Sequence, residues 1–189
     1  MKKPILYICL ILLVSCHSAS YMHDIDSTPY AIDYREGKWL LNEVSSPLDI
    51  KQKLTKIAYD GFYKNLGAQL KKSEDLTNMS LSYIPINPDK LLLQRVKQET
   101  EFDYLINIES KSSENDIGSL KIGQTHSRQR NVAQTTLEVY DLNTSEIIYS
   151  RKVTGQVTVD ESDNEDFAFV KGNNGIMISC LKKIMKKIN

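Results

Sequence analysis

The chain has 189 residues, and its 24 lysines and arginines are balanced by 24 aspartates and glutamates. A formal charge of zero argues against a basic protein that binds nucleic acid through its phosphates. The length suits a single domain once a short N-terminal segment is set apart.

The N-terminal segment carries the features of a secretory signal. Lys2 and Lys3 precede an apolar run over residues 5–14, which is the order of a positive n-region and a hydrophobic h-region. Such a run is too short to cross a hydrocarbon core, which needs about 20 apolar residues. The pattern therefore predicts a cleaved signal and not a transmembrane helix.

Residues 13–16, Leu-Val-Ser-Cys, resemble the lipobox of bacterial lipoproteins, which is cut before its cysteine. The resemblance implies that residues 1–15 are a signal peptide and that Cys16 is the lipidation site. Each acyl CH₂ in the bilayer contributes about 0.8 kcal/mol, so several chains form a durable anchor. Because His17 stands where an aspartate would signal inner-membrane retention, the resemblance favours the outer membrane, facing the periplasm. A buried cysteine ending an ordinary helix is the alternative.

The sequence of residues 16–36 predicts a lipidated flexible tether, because it is polar and shows no sustained hydrophobic period. A segment of about 20 residues spans about 25 Å on average and can stretch to roughly 65 Å. The domain would then stand off the membrane. The spacing of the polar residues matches no metal-ligand pattern, so we expect no metal site at His17, His23, Asp24 and Asp26.

Residues 37–189 predict one periplasmic α/β domain. Residues 38–44 read as a buried strand. Ser46 and Pro47 then suit the cap and first position of a helix whose apolar spacing runs to Leu70. Residues 79–84 are a weaker strand, a second helix opens at residues 87–89, and residues 104–108 are a third strand.

The second half predicts a hairpin and a closing helix. Residues 110–130 are polar enough for a long loop, either solvated or partner-binding, with a small basic cluster of Lys121, His126, Arg128 and Arg130. Residues 131–140 and 146–159 alternate as two strands around turn residues. Asp160–Asp166 is acidic but matches a calcium loop only loosely. The final helix buries Ile176, Cys180, Ile184 and Ile188, with its lysine pairs pointing outward.

Cys180 is the one cysteine left in the mature chain, because Cys9 is removed with the signal and Cys16 is consumed by lipid. No intrachain disulfide is then possible. We expect a buried structural thiol, with an intermolecular disulfide as the alternative.

The element order β-α-β-α-β-β-β-α predicts the α/β (α+β) class, as a single two-layer sandwich with a mixed sheet. Residues 101–108 and 136–150 resemble the third strand and the hairpin of a group of envelope proteins. That group includes the penicillin-binding-protein activator LpoB, the curli secretion lipoprotein CsgG and the N-terminal domain of TolB. The resemblance covers roughly residues 38–188 and implies their anticodon-binding-domain-like (ABD-like) fold.

The predicted function is a non-enzymatic accessory or binding module that acts on an envelope protein, with an LpoB-like activator role open. The alternative is a subunit of an oligomeric outer-membrane secretion or assembly complex, as the resemblance to CsgG implies. An enzyme is not expected, since His126 has no nucleophile motif beside it. The sequence suggests no cofactor, no small-molecule substrate and no nucleic-acid partner.

Overall fold

The computed structural model describes residues 19–24, 28, 31–76, 84–115, 117, 128–160 and 170–188. Within these ranges six strands form one mixed sheet that packs against three helices, which confirms the predicted α/β class. The elements are β1 (Ser20–His23), β2 (Trp39–Leu41), α1 (Leu48–Leu66), β3 (Leu70–Lys72), α2 (Lys90–Thr100), β4 (Tyr104–Asn115), β5 (Arg128–Asp141), β6 (Glu146–Asp160) and α3 (Asn173–Ile188).

The strand order is β1-β6-β5-β4-β2-β3. β2 runs parallel to both β3 and β4, because α1 carries the chain over one face of the sheet between β2 and β3. The other pairs are antiparallel. The predicted hairpin is confirmed as β5 and β6, and its turn is closed by Asp141, whose carboxylate accepts from the Asn143 amide at 2.8 Å.

α1 and α3 cover one face of the sheet and enclose the main core. The predicted apolar stripe of α3 is buried throughout, and Leu181 is fully buried beside it. The lysine prediction fails at Lys183, whose ammonium lies 4.6 Å from the centre of the Tyr21 ring. No helix in the described ranges is long and apolar enough to span a membrane.

α2 packs on the opposite face and encloses a second, smaller core. Leu93 and Val96 of this helix meet Leu40 of β2 and Leu105 of β4. α2 begins as predicted, because the Asp89 carboxylate accepts from the Leu92 amide at 2.7 Å and caps the helix. This helix covers only one corner of its face.

The first helix is shorter at both ends than the sequence predicts. Its N-cap is Pro47 and no side chain caps it, while the Ser46 hydroxyl donates to the Pro47 carbonyl. The helix ends at Leu66 because Gly67 adopts φ +51°, a left-handed conformation that glycine tolerates. Leu70, expected inside the helix, instead begins β3 and pairs with Trp39.

The strand predicted at residues 79–84 lies outside the described residues, except for Ile84, which is buried. The predicted loop at 110–130 is wrong at both ends, because β4 continues to Asn115 and β5 begins at Arg128. Polar side chains in these extensions bond across the sheet. The hydroxyls of Ser110 and Thr135 lie 2.8 Å apart and buried, so their polarity does not mark a loop.

Part of the segment predicted as a tether belongs to the domain. β1 forms the edge of the sheet and pairs with β6, from Ser20 opposite Gln156 to His23 opposite Val153. Further along, the Tyr34 ring packs on Trp39 and its hydroxyl donates to the Ile188 carbonyl at 3.1 Å. No signal of this packing is visible in the sequence, because Tyr21 and Tyr34 are isolated aromatic residues that belong to no helical or strand-like hydrophobic period.

Candidate functional site

Cys16, the predicted lipidation site, lies outside the described residues. The described chain begins at Ala19, immediately before β1. The geometry available for function is therefore that of the domain, and its most distinctive surface is the part of the sheet that no described helix covers.

We call this surface the open face. It consists of the side chains of β4, β5 and β6 that point away from α1 and α3 and lie beyond the corner covered by α2. Strand alternation puts every second residue there, because the residues between them enter the main core. The open face carries Glu109, Lys111, Glu114, Arg130, Gln134, Thr136, Glu138, Lys152, Thr154 and Gln156.

A crevice of about 160 Å³ lies at the centre of the open face. Its floor is formed by β4, β5 and β6, including Glu109, Thr136 and Lys152, and its wall by Ile86 and Asn87. Pockets that enclose small organic ligands usually measure about 300–1,000 Å³. The crevice is therefore a shallow feature of a flat surface.

A buried amide pair holds the wall of this crevice in place. Asn42 Nδ2 donates to Asn107 Oδ1 at 2.8 Å and to the Ile84 carbonyl at 2.9 Å. Asn107 Nδ2 in turn donates to the Ile86 carbonyl at 3.1 Å. Because both side chains are almost fully buried, each bond satisfies a group that would otherwise be costly to bury.

The Tyr140 hydroxyl joins this wall to the charged part of the open face. It donates to Glu138 Oε2 at 2.6 Å and lies 3.5 Å from the Ile86 carbonyl. Burial is the main cause that raises the pKa of Tyr140 above its ordinary value, and the hydrogen bond to Glu138 raises it further. The phenol therefore remains a proton donor across the whole physiological range.

The charges of the open face form pairs that remain partly exposed. Lys111 Nζ lies 2.7 Å from Glu109 Oε2, and Lys152 Nζ lies 3.2 Å from Asp24 Oδ2 at the edge of the sheet. Arg130 bridges β5 and β6 by donating to Gln156 Oε1 at 2.9 Å. Such exposed pairs contribute about 0–1 kcal/mol each, so they can rearrange against a partner at little cost.

A larger groove of about 780 Å³ runs along the solvent side of α1 to β3. Its charged side chains pair with one another, as Lys56 does with Asp60 at 2.8 Å and Lys72 with Glu74 at 2.9 Å. These are ordinary solvated contacts of a helix face, and the groove shows no convergence of polar groups on one point.

The other candidates from the sequence do not converge on a site. Lys121 and His126 of the basic cluster lie outside the described residues, as does the acidic stretch after Asp160, and Arg130 lies on the open face. Lys171 donates to the Tyr21 hydroxyl at 3.1 Å. No group of three or more metal-ligating side chains occurs in the part of the chain that is described.

The sequence did not single out Asn42 and Asn107, which hold the wall of the crevice, or Tyr21, which lies on the opposite side of the sheet against the main core. An asparagine inside an otherwise apolar strand is a usable signal, because a buried amide requires partners. Both asparagines stand in such strands. Tyr21 carried no comparable signal, since the residues around it show no sustained apolar period.

No protein-family model matches the chain, and no curated protein matches it significantly. Among solved structures it is similar to the PelC dodecamer from Paraburkholderia phytofirmans, with 14% identity, a TM-score of 0.45, and coverage of 90% of this chain and 97% of that one. It is also similar to a minor lipoprotein from Acinetobacter baumannii, with 12% identity, a TM-score of 0.40, and coverage of 80% and 91%. Lipoprotein GNA1162 from Neisseria meningitidis follows, with 8% identity, a TM-score of 0.38, and coverage of 79% and 99%.

At these identities and TM-scores the likenesses carry no information about the activity of this chain. The resemblance to the LpoB, CsgG and TolB group, based on the third strand and the hairpin, stays a prediction.

Proposed function

We propose that the protein is a lipid-anchored lipoprotein of the bacterial envelope, whose domain is a non-enzymatic binding module for an envelope protein. The anchor is supported by the sequence of residues 13–16 and the signal that precedes it. The binding role rests chiefly on one observation, the open face, where three long strands present half-buried polar side chains without a covering helix in the described residues.

The chemistry of the open face favours a protein over a lipid or a nucleic acid. Carboxylates and basic groups alternate on it, whereas anionic lipids and nucleic acids attract surfaces of one positive sign. Mixed charges instead provide the complementarity by which proteins select partners and fix their register. The flat surface and shallow crevice also suit another folded protein better than a small ligand.

The anchor is tested by metabolic labelling with palmitate. Cys16→Ala should abolish the label and leave an uncleaved precursor, because no second lipidation site is predicted. Cys180→Ala is the matched control and should keep the label. Label that persists in Cys16→Ala would refute the anchor, and membrane fractionation of the labelled protein then tests the outer-membrane location.

The binding surface is tested by photo-crosslinking in intact cells. A photo-reactive amino acid at Thr136, on the open face, should crosslink to an envelope protein. The same amino acid at Lys56, on the solvent side of α1, serves as the control and should give no such product. An identical product from both positions, or products from Lys56 alone, would contradict the assignment of the open face.

The second candidate is a subunit of an oligomeric envelope assembly. It rests on the resemblance of residues 101–108 and 136–150 to the group that includes the curli secretion lipoprotein CsgG. Crosslinks from Thr136 to a second copy of the chain would support it. A monomer in detergent, seen by light scattering, would count against it.

A further inference from the structure

β1 is attached to the domain by a built contact and not by backbone pairing alone. Its side chains are exposed except for Tyr21, which points towards the main core. Opposite Tyr21 on β6 stands Gly155. A Cβ at that position would lie 2.8 Å from the Tyr21 ring and 2.5 Å from Ile176 Cγ2, so only glycine leaves room for both.

Two lysines complete the seat of the Tyr21 ring. Lys183 of α3 has its ammonium 4.6 Å from the ring centre, and Lys171 has its ammonium 5.7 Å from it. Lys171 also donates to the Tyr21 hydroxyl and to the Ser179 hydroxyl. Cations attract the face of an aromatic ring. The Tyr21 ring therefore joins β1 to β6, to α3 and to Lys171 in the segment before α3.

The pairing also fixes which way the chain leaves the domain. β1 is antiparallel to β6, so its N-terminal end points towards Asp160, the end of β6. At that end of the sheet β4 ends, β5 begins and α3 begins. The β5–β6 turn lies at the opposite end.

The distance from the anchor to β1 is short. Three residues, 17–19, separate Cys16 from Ser20, so the four steps from Cα to Cα reach at most about 14 Å. Ser20 lies opposite Gln156, which is four residues or about 14 Å from the end of β6. An extended chain from Ser20 therefore brings Cys16 level with the tip of the sheet and no further.

We infer that β1, seated by Tyr21, holds the domain directly against the lipid surface. The end of the sheet at which β5 begins and β6 ends then points towards the membrane. This inference rests on the proposed anchor at Cys16. It replaces a tether of about 20 residues with a spacer of three, and so limits both the height and the tilt of the open face. The β5–β6 turn then faces away from the bilayer.

The inference is tested by energy transfer from a dye on the full lipidated chain to acceptor lipids in phosphatidylethanolamine–phosphatidylglycerol vesicles. The dye is attached at Asn115→Cys near the tip, or at Thr144→Cys in the far turn, both exposed positions. Asn115 and the turn are about 34 Å apart along the strands. Transfer should be at least two-fold more efficient from position 115 than from position 144.

Two variants then release the domain. Tyr21→Ala removes the ring that holds β1 on the domain. A ten-residue Gly/Ser insertion after His17 lengthens the spacer without changing the domain. Both should lower transfer from position 115 and reduce the difference between the positions at least two-fold. Met22→Ala, on the same strand but 60% exposed, should leave both values unchanged.

The insertion keeps the test valid if Tyr21→Ala fails to fold. Equal transfer from both positions in the unaltered chain would overturn the role of β1, as would transfer that the insertion does not change. A chain whose N-terminal peptide carries no acyl groups by mass spectrometry would refute the proposed anchor and the inference together. An acylated chain with equal transfer would refute the inference alone.

Discussion

At the scale of single residues, Cys180 shows how burial sets chemistry. The thiol is fully buried on α3, and burial raises its pKa to about 11. The sequence predicted a buried structural thiol, and the structure confirms that Cys180 is free and buried. Thiolates are the reactive form, so this cysteine should be inert in the folded protein.

We therefore predict that a chain beginning at residue 17 reacts slowly with a disulfide reagent at pH 8 and rapidly in urea. Because the folded pKa lies above that of the unfolded chain, the stabilisation is complete below pH 9 and is lost as the pH rises towards 11. Cys180→Ala should lack that part of the pH dependence of unfolding. Equal rates of reaction with and without urea would contradict the burial of the thiol.

Two glycines that look alike in the sequence should differ in their tolerance of alanine. At Gly155 a Cβ meets Ile176 and the Tyr21 ring, so Gly155→Ala should cost about 1–3 kcal/mol through overpacking. At Gly61 it meets Met185 Sδ at 2.6 Å, the end of a flexible side chain. Gly61 therefore faces α3 and not the sheet.

Gly61→Ala should therefore change the free energy of unfolding by less than about 1 kcal/mol, because alanine also improves helix propensity by about that amount. Urea unfolding of both variants is the measurement. A loss at Gly61 as large as that at Gly155 would show that Met185 is unable to move aside.

At the scale of elements, α3 is the helix on which the main core depends. Leu181 is fully buried against the sheet, so Leu181→Ala should lower the free energy of unfolding by about 2–5 kcal/mol. Lys182→Ala is the matched control, because its side chain is exposed, and it should cost less than about 0.5 kcal/mol. A small effect at Leu181 would indicate that α3 docks on something outside the domain.

An element could be predicted from the sequence where its signal is local, and not where it depends on contacts with distant parts of the chain. α3 and the β5–β6 hairpin were predictable, because apolar periodicity and turn chemistry are local. The extensions of β4 and β5 were not, since Ser110 of β4 finds its partner Thr135, and Arg130 of β5 its partner Gln156, only across the sheet. β3 was not predicted, because the helical spacing of apolar residues continues to Leu70. The helix ends earlier because Gly67 adopts a positive φ angle, and no proline follows to mark that end in the sequence.

At the scale of the whole molecule, the residues before β2 matter more than their composition suggests. The sequence analysis treated residues 16–36 as a tether, and nothing in the pattern indicated the partners 120 or more residues away. The bonds of Thr28 to Ser150 and of Tyr34 to Ile188 are of this kind. Such long-range contacts carry no periodic signature, so the open face and β1 were beyond sequence reasoning.

We accordingly predict that deleting residues 17–36 destabilises the domain by about 3–5 kcal/mol, since it removes both β1 and the partly buried Tyr34 ring that packs on Trp39 and Phe62. Deleting residues 17–30 should cost less, because it removes β1 but keeps Tyr34. The urea midpoints of both deletions provide the measurement. Unchanged midpoints for the longer deletion would restore the simple tether.

The pairing of β1 with β6 also has a consequence for the order in which the protein matures. The Ser20 hydroxyl bonds to Gln156, 136 residues later, so the contact closes almost the entire chain. Closing so large a loop is entropically costly until the strands between are in place, which makes β1 a late arrival in folding. We therefore expect the proposed cleavage and acylation at Cys16 to precede the docking of β1.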